Sequence, residues 1–169
     1  MPDVKRPDDN SSTNPLYLRE SEIRAGIELL FFAYRDFTGD PDILLNRHGF
    51  GRAHHRVIHF VSRNPQISVA QLLKILRITK QSLSRVLRQL VDEGYIEQKT
   101  GLRDRRQRLL SVTEKGSDLE RQLSTLQRAR IARAYREAGP EAVAGYRKVL
   151  SCLINEDDRG DILKYILKS

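Results

Sequence analysis

A turn in the middle of the chain concentrates positive charge. In TGLRDRRQR, residues 100–108, four of the last six positions are arginine, and short apolar stretches flank the turn at 95–96 and 109–112. Like charges in so short a segment repel one another, and a polyanion that neutralises them removes that repulsion. We therefore interpret the turn as a nucleic-acid contact; the alternative is a solvated loop whose charges have no specific role.

Two histidines, His55 and His59, are spaced one helical turn apart, a spacing that can bind a metal ion. A closed site needs three or four ligands, and the chain after Thr113 contains no histidine. His54 points to the apolar side of its helix and is expected in the core. We therefore predict no metal site and assign His55 and His59 to polar surface or dimer contacts. A sensing role for this region, which includes His48, stays open.

The single cysteine, Cys152, lies in the apolar segment VLSCLI. We expect a buried structural thiol rather than a redox sensor. One cysteine excludes an intramolecular disulfide and fits a reducing, cytoplasmic compartment. The chain shows no recognisable nucleophile, base and orienting group and no Gly-rich phosphate loop, so we predict neither an enzyme nor a cofactor.

The amino-acid composition indicates the size of the folded unit and the class of its binding partner. The 169 residues suit one domain, or a small domain with additional arms. Lys and Arg number 30 against 22 Asp and Glu, a net charge of +8 that favours nucleic acid or another anionic surface. Residues 77–108 hold nine Lys or Arg and four acids, a surplus of five. The first 18 residues are polar and proline-containing, and no apolar run approaches the ~20 residues of a membrane span, so we expect a flexible tail on a soluble protein without membrane contact.

Two helix starts can be identified before the arginine turn. Ser68 is followed three residues later by Gln71, which is the spacing of a capping box, and Thr79 is a second N-cap. The pattern predicts helices over about 68–76 and 79–93. Because only about three residues separate them, the pair has the connection length of a helix-turn-helix.

The second of these helices is strongly amphipathic. Leu83, Val86, Leu87, Leu90 and Val91 form one apolar stripe that must face a core. The opposite side is polar and suits a DNA major groove; it carries Gln81, Arg85, Arg88 and Asp92. Gly94 ends the helix, and YIEQK and RLLSV on either side of the arginine turn predict a two-stranded hairpin.

Helical periodicity continues on both sides of this unit. On the N-terminal side we predict a helix over about 21–37, a turn at 38–42, a short apolar piece at 43–45 and a helix over 52–63. The last of these places its apolar residues on one side and its polar residues on the other. The apolar side is Ala53, Val57, Ile58, Phe60 and Val61; the polar side is His55, Arg56 and His59.

On the C-terminal side, Thr113 is the N-cap of a helix to about 138, and Pro140 begins a final helix that we expect to be interrupted within NEDDRGD, residues 155–161. Arms at both ends of a small domain are most simply buried against a second copy, which predicts a homodimer. The organisation is then a tail at 1–18, N-terminal dimerisation helices at 19–50, a DNA-binding domain at 51–113 and C-terminal dimerisation helices at 114–169.

With ITKQSLSRVLRQLVDEGYIEQ followed by RDRRQRLLSVTEKG, the chain resembles the MarR family of dimeric winged-helix transcriptional regulators. The order of elements matches over roughly 21–167, and the motifs match locally. The resemblance implies a mainly α fold, a winged helix-turn-helix with a two-stranded β wing flanked by dimerisation helices. It also implies that Arg106 enters the minor groove and that Asp104 helps to orient it.

Carried over by position, the candidate DNA contacts lie on the recognition helix and the wing. On the helix they are Thr79, Lys80, Gln81, Ser82, Ser84, Arg85 and Arg88. On the wing they are Lys99, Arg103, Asp104, Arg105, Arg106 and Arg108. Arg pairs bidentately with guanine and Gln with adenine.

The predicted function is a homodimeric repressor that binds double-stranded DNA at a pseudo-palindromic operator, with half-sites about one helical turn apart. A small-molecule effector, bound between arms and DNA-binding domain, could release it. The residues considered for that pocket are Phe31, Tyr34, His54 and Ile58, although such apolar stripes are more often core. The alternative function is a non-specific nucleic-acid-binding or architectural protein.

Overall fold

Seven α-helices and three β-strands make up the part of the chain that the structure, a computed structural model, describes, namely residues 15–102 and 104–167. The helices are α1 (Glu20–Arg47), α2 (Arg52–Arg63), α3 (Val69–Leu76), α4 (Lys80–Asp92), α5 (Glu114–Ala138), α6 (Pro140–Leu153) and α7 (Glu156–Leu167); the strands are β1 (Ile67–Ser68), β2 (Ile96–Thr100) and β3 (Arg108–Val112). The chain divides into two packed units, residues 1–39 and 40–169. No helix in the described ranges is long and apolar enough to cross a membrane.

The helix-turn-helix forms where its capping residues predict it. Ser68 Oγ accepts the Gln71 backbone N–H at 3.2 Å, and Gln71 Oε1 accepts the Ser68 N–H at 2.9 Å, so the capping box is complete. Thr79 Oγ1 accepts the Ser82 N–H at 3.1 Å and begins α4. Arg77 ends α3 in the left-handed conformation, φ 50°. The predicted boundaries of both helices are confirmed within a residue or two.

The wing is a hairpin with one strand more than the sequence predicted. β2 and β3 pair antiparallel from Ile96–Val112 to Thr100–Arg108, as expected. The two-residue strand β1 also pairs with β3, Ile67 opposite Leu110, and gives the strand order β1-β3-β2. A strand of two residues has no measurable alternation of apolar and polar positions, so hydrophobic periodicity cannot detect it.

The core of the second unit joins α2, the helix-turn-helix and the base of the wing. Its fully buried members include the following side chains: Leu45, Val57, Ile58, Val61, Leu72, Leu83, Leu90, Ile96, Leu110 and Leu123. Gly116, in the first turn of α5, lies so close to Tyr95, the residue before β2, that a Cβ there would be 2.0 Å from the Tyr95 carbonyl oxygen. The base of the wing therefore packs directly on the backbone of α5.

The turn predicted at 38–42 is wrong, because α1 continues through Gly39 and Pro41 to Arg47. A proline inside a helix removes one backbone hydrogen bond and crowds the preceding turn, at a cost of about 3 kcal/mol. Pro41 is itself fully buried, and Leu45, one turn later, is 0% exposed in the core. This burial offsets the local cost, which a sequence pattern does not register.

Both ends of the chain also differ in part from expectation. Residues 15–18, assigned to the tail, include a 3₁₀ turn at Leu16–Leu18, whereas residues 1–14 lie outside the described ranges. The C-terminal break falls at 154–155, before most of the segment in which we expected it, and α7 follows. Cys152 is exposed rather than buried. The neighbouring Val149 and Leu153 are also exposed, so the apolar character of this segment does not lead to burial within the described part of the chain.

Candidate nucleic-acid interface

The recognition helix α4 buries one side and exposes the other. Leu83, Val86, Leu87 and Leu90 are at most 7% exposed, whereas Gln81, Ser84, Arg85 and Arg88 are exposed on the helix surface. Thr79 and Lys80 at its start are exposed, and Ser82 is half-buried against the Thr79 hydroxyl. The stripe therefore fixes which face of α4 is available to a partner, as predicted.

Hydrogen bonds that could not be predicted from the sequence connect one side of α4 to α2 and α5. The Nε2 atom of His54, on α2, is 2.8 Å from Gln89 Oε1. Gln89 Nε2 donates to Glu93 Oε1 at 2.9 Å, and the Nζ of Lys115, on α5, donates to the Glu93 carbonyl at 2.9 Å. Gln89 lies between the apolar stripe and the polar face, where spacing alone does not distinguish a structural role from a DNA contact.

The wing turn is fixed mainly by backbone contacts. Asp104 Oδ1 accepts the backbone N–H of Arg106 at 2.9 Å, and the Asp104 carbonyl accepts the Gln107 N–H at 3.0 Å. A Cβ at Gly101 would lie 2.8 Å from the Asp104 carbonyl oxygen, so this position requires glycine. The contact between Asp104 and Arg106 thus acts on the backbone of the arginine, which sets the direction in which its side chain leaves the turn.

The basic side chains of the wing fall into two groups. Lys99 Nζ is 3.0 Å from Glu97 Oε1, and Arg108 Nη1 donates to Thr100 Oγ1 at 3.0 Å, so both are engaged within the strands. Arg105 and Arg106 are exposed, and no partner for either guanidinium is recorded within the described ranges. Arg103, the remaining candidate, lies outside those ranges.

Two histidines of α2, His55 and His59, lie on the side of the helix near α5. His55, expected on the polar side, is only 9% exposed, whereas Ala53, expected on the apolar side, is exposed. His59 Nδ1 is 3.2 Å from Glu120 Oε1 of α5. Burial and the nearby His59 lower the pKa of His55 below its ordinary 6.5, against the smaller opposing effect of Glu120. The prediction for His55 failed because α5 packs across a side of α2 that the local pattern leaves polar.

No group of three or more His, Cys, Asp or Glu side chains within the described ranges is arranged to hold a metal ion.

The four residues considered for an effector pocket have different surroundings. Phe31 and Tyr34 are exposed on α1, within the first unit. Ile58 is 0% exposed in the core, and His54 is bonded to Gln89. A cavity of ≈ 620 Å³ lies instead between the end of α1 and α5. It is lined by Asp40, Ile43, Leu44, Arg47, Arg121, Gln122, Thr125 and Leu126.

A helix-turn-helix with an exposed polar helix face, followed by a wing that presents arginines, defines the winged-helix class of DNA-binding proteins. Residues 48–107 match the model of the MarR family. The HTH-type transcriptional regulator PetP of Rhodobacter capsulatus is 54% identical over 140 residues, which are 83% of this chain and 84% of PetP. The chain belongs to the MarR family of transcriptional regulators.

Solved structures share this fold at low sequence identity. Streptococcus pneumoniae FabT in complex with DNA aligns with a TM-score of 0.68 at 22% identity, covering 78% of this chain and 94% of FabT. A mutant MarR from E. coli complexed with operator DNA aligns with a TM-score of 0.64 at 20% identity, covering 83% of this chain and 99% of that one. The alignments extend beyond the helix-turn-helix and confirm the mainly α, winged-helix architecture.

Proposed function

We propose that this protein is a homodimeric, sequence-specific DNA-binding repressor that acts in the cytoplasm on a pseudo-palindromic operator. The observation that carries the proposal is the juxtaposition of two exposed basic features on one folded unit. The polar face of α4 offers Arg85 and Arg88, and the wing offers Arg105 and Arg106 without partners in the described ranges. Solved relatives of this fold, FabT and the MarR mutant, are complexes with DNA.

In this proposal α4 enters the major groove and the wing reaches the minor groove. Gln81, Arg85 and Arg88 read base edges, since Arg pairs with guanine and Gln with adenine. Contacts from Thr79, Lys80, Ser82 and Ser84 position the helix start on the backbone.

On the wing, Arg106 enters the minor groove, where a narrow A·T-rich segment concentrates negative potential. Asp104 fixes the backbone from which Arg106 projects, and the other wing cations, Lys99, Arg103, Arg105 and Arg108, contact phosphates.

Exposed apolar side chains support the dimer. On the first part of α1, Ile23 and Ile27 are 50% exposed and Phe31 is 69% exposed; on α6, Val149 and Leu153 are 62% and 64% exposed. Monomers seldom present so many large apolar side chains to water, so we assign these helix faces to a second copy of the chain. Two-fold symmetry then places two recognition helices on half-sites one helical turn apart.

Release by a small molecule is part of the proposal, and the ≈ 620 Å³ cavity supports it because its size suits a drug-sized ligand. Leu44 and Leu126 form an apolar part of the cavity wall, and Arg47 and Arg121 place positive charge beside it. A ligand there would contact both the end of α1 and α5. Screening compounds for loss of operator binding, with Leu126→Trp as a variant that fills the cavity, tests this site; a screen whose active compounds release the variant equally well contradicts it.

Selection of bound sequences from random duplex, followed by footprinting and affinity measurement over a salt series, tests the proposal. We expect Arg106→Ala to weaken operator binding and to reduce the salt slope by about one. Arg106→Lys should restore the slope but only part of the affinity, because a lysine does not replace the guanidinium in a narrow groove. Arg85→Ala and Arg88→Ala should relax base preference. Arg128→Ala, on α5, is the matched control and should change neither.

Two outcomes contradict the DNA assignment. Unchanged affinity and footprint in the Arg106, Arg85 and Arg88 variants would contradict the assignment of these residues to the DNA grooves. Loss of the footprint under excess random duplex would instead favour a non-specific nucleic-acid-binding protein.

Sedimentation equilibrium tests the dimer separately. We expect a mass of two chains for the wild type and a shift toward one chain in Ile27→Asp and Val149→Asp. Leu102→Asp is the control, since Leu102 is fully exposed at the wing. A wild-type mass of one chain at micromolar concentration would contradict the assignment.

A further inference from the structure

A directional chain of hydrogen bonds connects the start of α2 to the recognition helix. The Gly51 N–H donates to His54 Nδ1 at 3.1 Å. On the other side of the same ring, His54 Nε2 is 2.8 Å from Gln89 Oε1. Gln89 Nε2 in turn donates to Glu93 Oε1 at 2.9 Å and approaches the Gly49 carbonyl at 3.5 Å.

The partners of Gln89 fix the direction of the chain. A carboxylate and a carbonyl only accept, so the amide nitrogen of Gln89 must face Glu93 and Gly49. The amide oxygen then faces His54, and the proton of the imidazole must be on Nε2. Nδ1 is bare and accepts the Gly51 N–H. This arrangement gives a partner to both ring nitrogens of His54 and to both polar atoms of the Gln89 amide.

The ring of His54 is also held in place by its neighbours. It stacks on Phe50 with ring centroids 4.8 Å apart and an interplanar angle of 16°. Phe50 is only 3% exposed and contacts Tyr95 edge-on at 5.0 Å. His54 therefore has a fixed ring plane, and its Nε2–H points in a fixed direction.

The hydrogen bond between His54 and Gln89 opposes rotation of α4 about its own axis. The apolar stripe fixes the depth of α4, but apolar contacts are non-directional and tolerate small rotations about the helix axis. A directional hydrogen bond on the side of the helix, one turn beyond Arg85, opposes such rotation. Rotation of α4 would move Gln81, Arg85 and Arg88 relative to the base edges.

We infer that His54 is a positioning residue for sequence recognition: through its Nε2–H bond to Gln89 it holds α4 at the rotation that presents its polar face to the major groove. The inference rests on the proposed DNA-binding function. His54 itself touches no DNA in this role, and it also caps α2 through Gly51.

A matched pair of variants separates capping from positioning. Glutamine and glutamate at position 54 both offer an oxygen to the Gly51 N–H, as a capping box requires. His54→Gln also keeps a donor for Gln89, whereas His54→Glu replaces that donor with an acceptor. Gln89 cannot simply turn its amide over to meet the glutamate, because its oxygen would then face Glu93 and the Gly49 carbonyl.

The measurement is the ratio of operator affinity to affinity for random duplex in the same buffer, which largely cancels the charge difference between the variants. We expect His54→Gln to retain most of this ratio and His54→Glu to lose about 2- to 10-fold, the range of one net hydrogen bond. Urea unfolding of each variant shows whether folding is intact. Equal ratios in the two folded variants would overturn the inference.

A double-mutant cycle and a spectrum complete the test. Gln89→Met removes the acceptor at similar size, so His54→Glu should cost nothing further in that background if the two residues act through one bond. A full additional loss would overturn the inference. The ¹⁵N shifts of the imidazole should place the proton on Nε2 in the free wild-type protein, and a proton on Nδ1 would equally overturn it.

The proposed function can fail independently of this inference. Wild-type protein that selects no sequence contradicts the proposed function. Wild-type protein that selects an operator, together with a His54→Glu variant that selects it equally well, contradicts the positioning role alone.

Discussion

Substitution of Gly116 by alanine tests how the wing is attached to the rest of the protein. The added Cβ would lie 2.0 Å from the Tyr95 carbonyl oxygen and 3.0 Å from its carbonyl carbon. Both are backbone atoms, so no side chain can move aside. The first turn of α5 and the start of β2 must separate until the first distance reaches at least 3.0 Å, which is a shift of about 1 Å.

The hydrogen bonds across this contact set the magnitude. The Thr113 N–H donates to the Tyr95 carbonyl at 3.1 Å, and the Thr113 hydroxyl donates to the Gly94 carbonyl at 2.7 Å. Overpacking costs about 1–3 kcal/mol. A hydrogen bond is worth about 0.5–1.5 kcal/mol, and partial weakening of these two bonds together adds about 1 kcal/mol. We expect the free energy of unfolding to fall by about 2–4 kcal/mol, which lowers the Tm by about 4–16 °C for a chain of this size.

Thermal and urea unfolding at one fixed protein concentration measure the effect, since the stability of a dimer depends on concentration. Gly160→Ala is the matched control: Gly160 is also helical, and a Cβ there would meet nothing within 4 Å. The control should gain about 0.5–1 kcal/mol, because alanine favours the helix over glycine. A Gly116→Ala variant as stable as the wild type would refute the close approach of α5 and β2.

Three further predictions concern the wing, the α2–α5 contact and α7. Asp104→Ala should weaken operator binding about 2- to 5-fold without changing the salt slope, because it removes the hydrogen bond to the Arg106 backbone. Asp104→Asn keeps an accepting oxygen and should bind the operator nearly as well as the wild type. Burial lowers the pKa of His55, so below about pH 6.5 the unfolded state binds more protons than the folded state, and the free energy of unfolding should fall as the pH drops. His55→Gln should make this fall less steep in urea titrations. Identical pH profiles for the variant and the wild type would exclude the effect. Asp158→Asn removes an ion pair with Arg77 whose guanidinium is exposed and whose carboxylate is partly buried, and it should cost about 1 kcal/mol or less in the same titrations. A larger loss would show that α7 depends on this pair.

The helix-turn-helix and wing could be predicted from the sequence because local chemistry specifies them. Ser68, Thr79 and Thr113 satisfy backbone N–H groups within three residues of themselves, and each begins the helix that it was expected to begin. Gly94 has the positive φ, 77°, expected of a residue that ends a helix. These signals need no information from distant parts of the chain.

The candidate site was predicted in outline for the same reason. A 3.6-residue period determines which side of α4 is buried, so Arg85 and Arg88 had to lie opposite the core. The placement of these residues on DNA stays a prediction. The direction of the Asp104 contact, onto the backbone of Arg106 rather than onto its guanidinium, depends on turn geometry that residue types alone do not specify.

The amino-acid sequence by itself therefore determined the helix starts, the buried face of the recognition helix and the arginine-bearing turn, since each depends on contacts within a few residues. Tertiary structure alone decided that Pro41 is tolerated inside α1, that His55 is buried and that His54 bonds to Gln89. Each of these depends on elements far apart in the chain, whose packing free energy outweighs local preference.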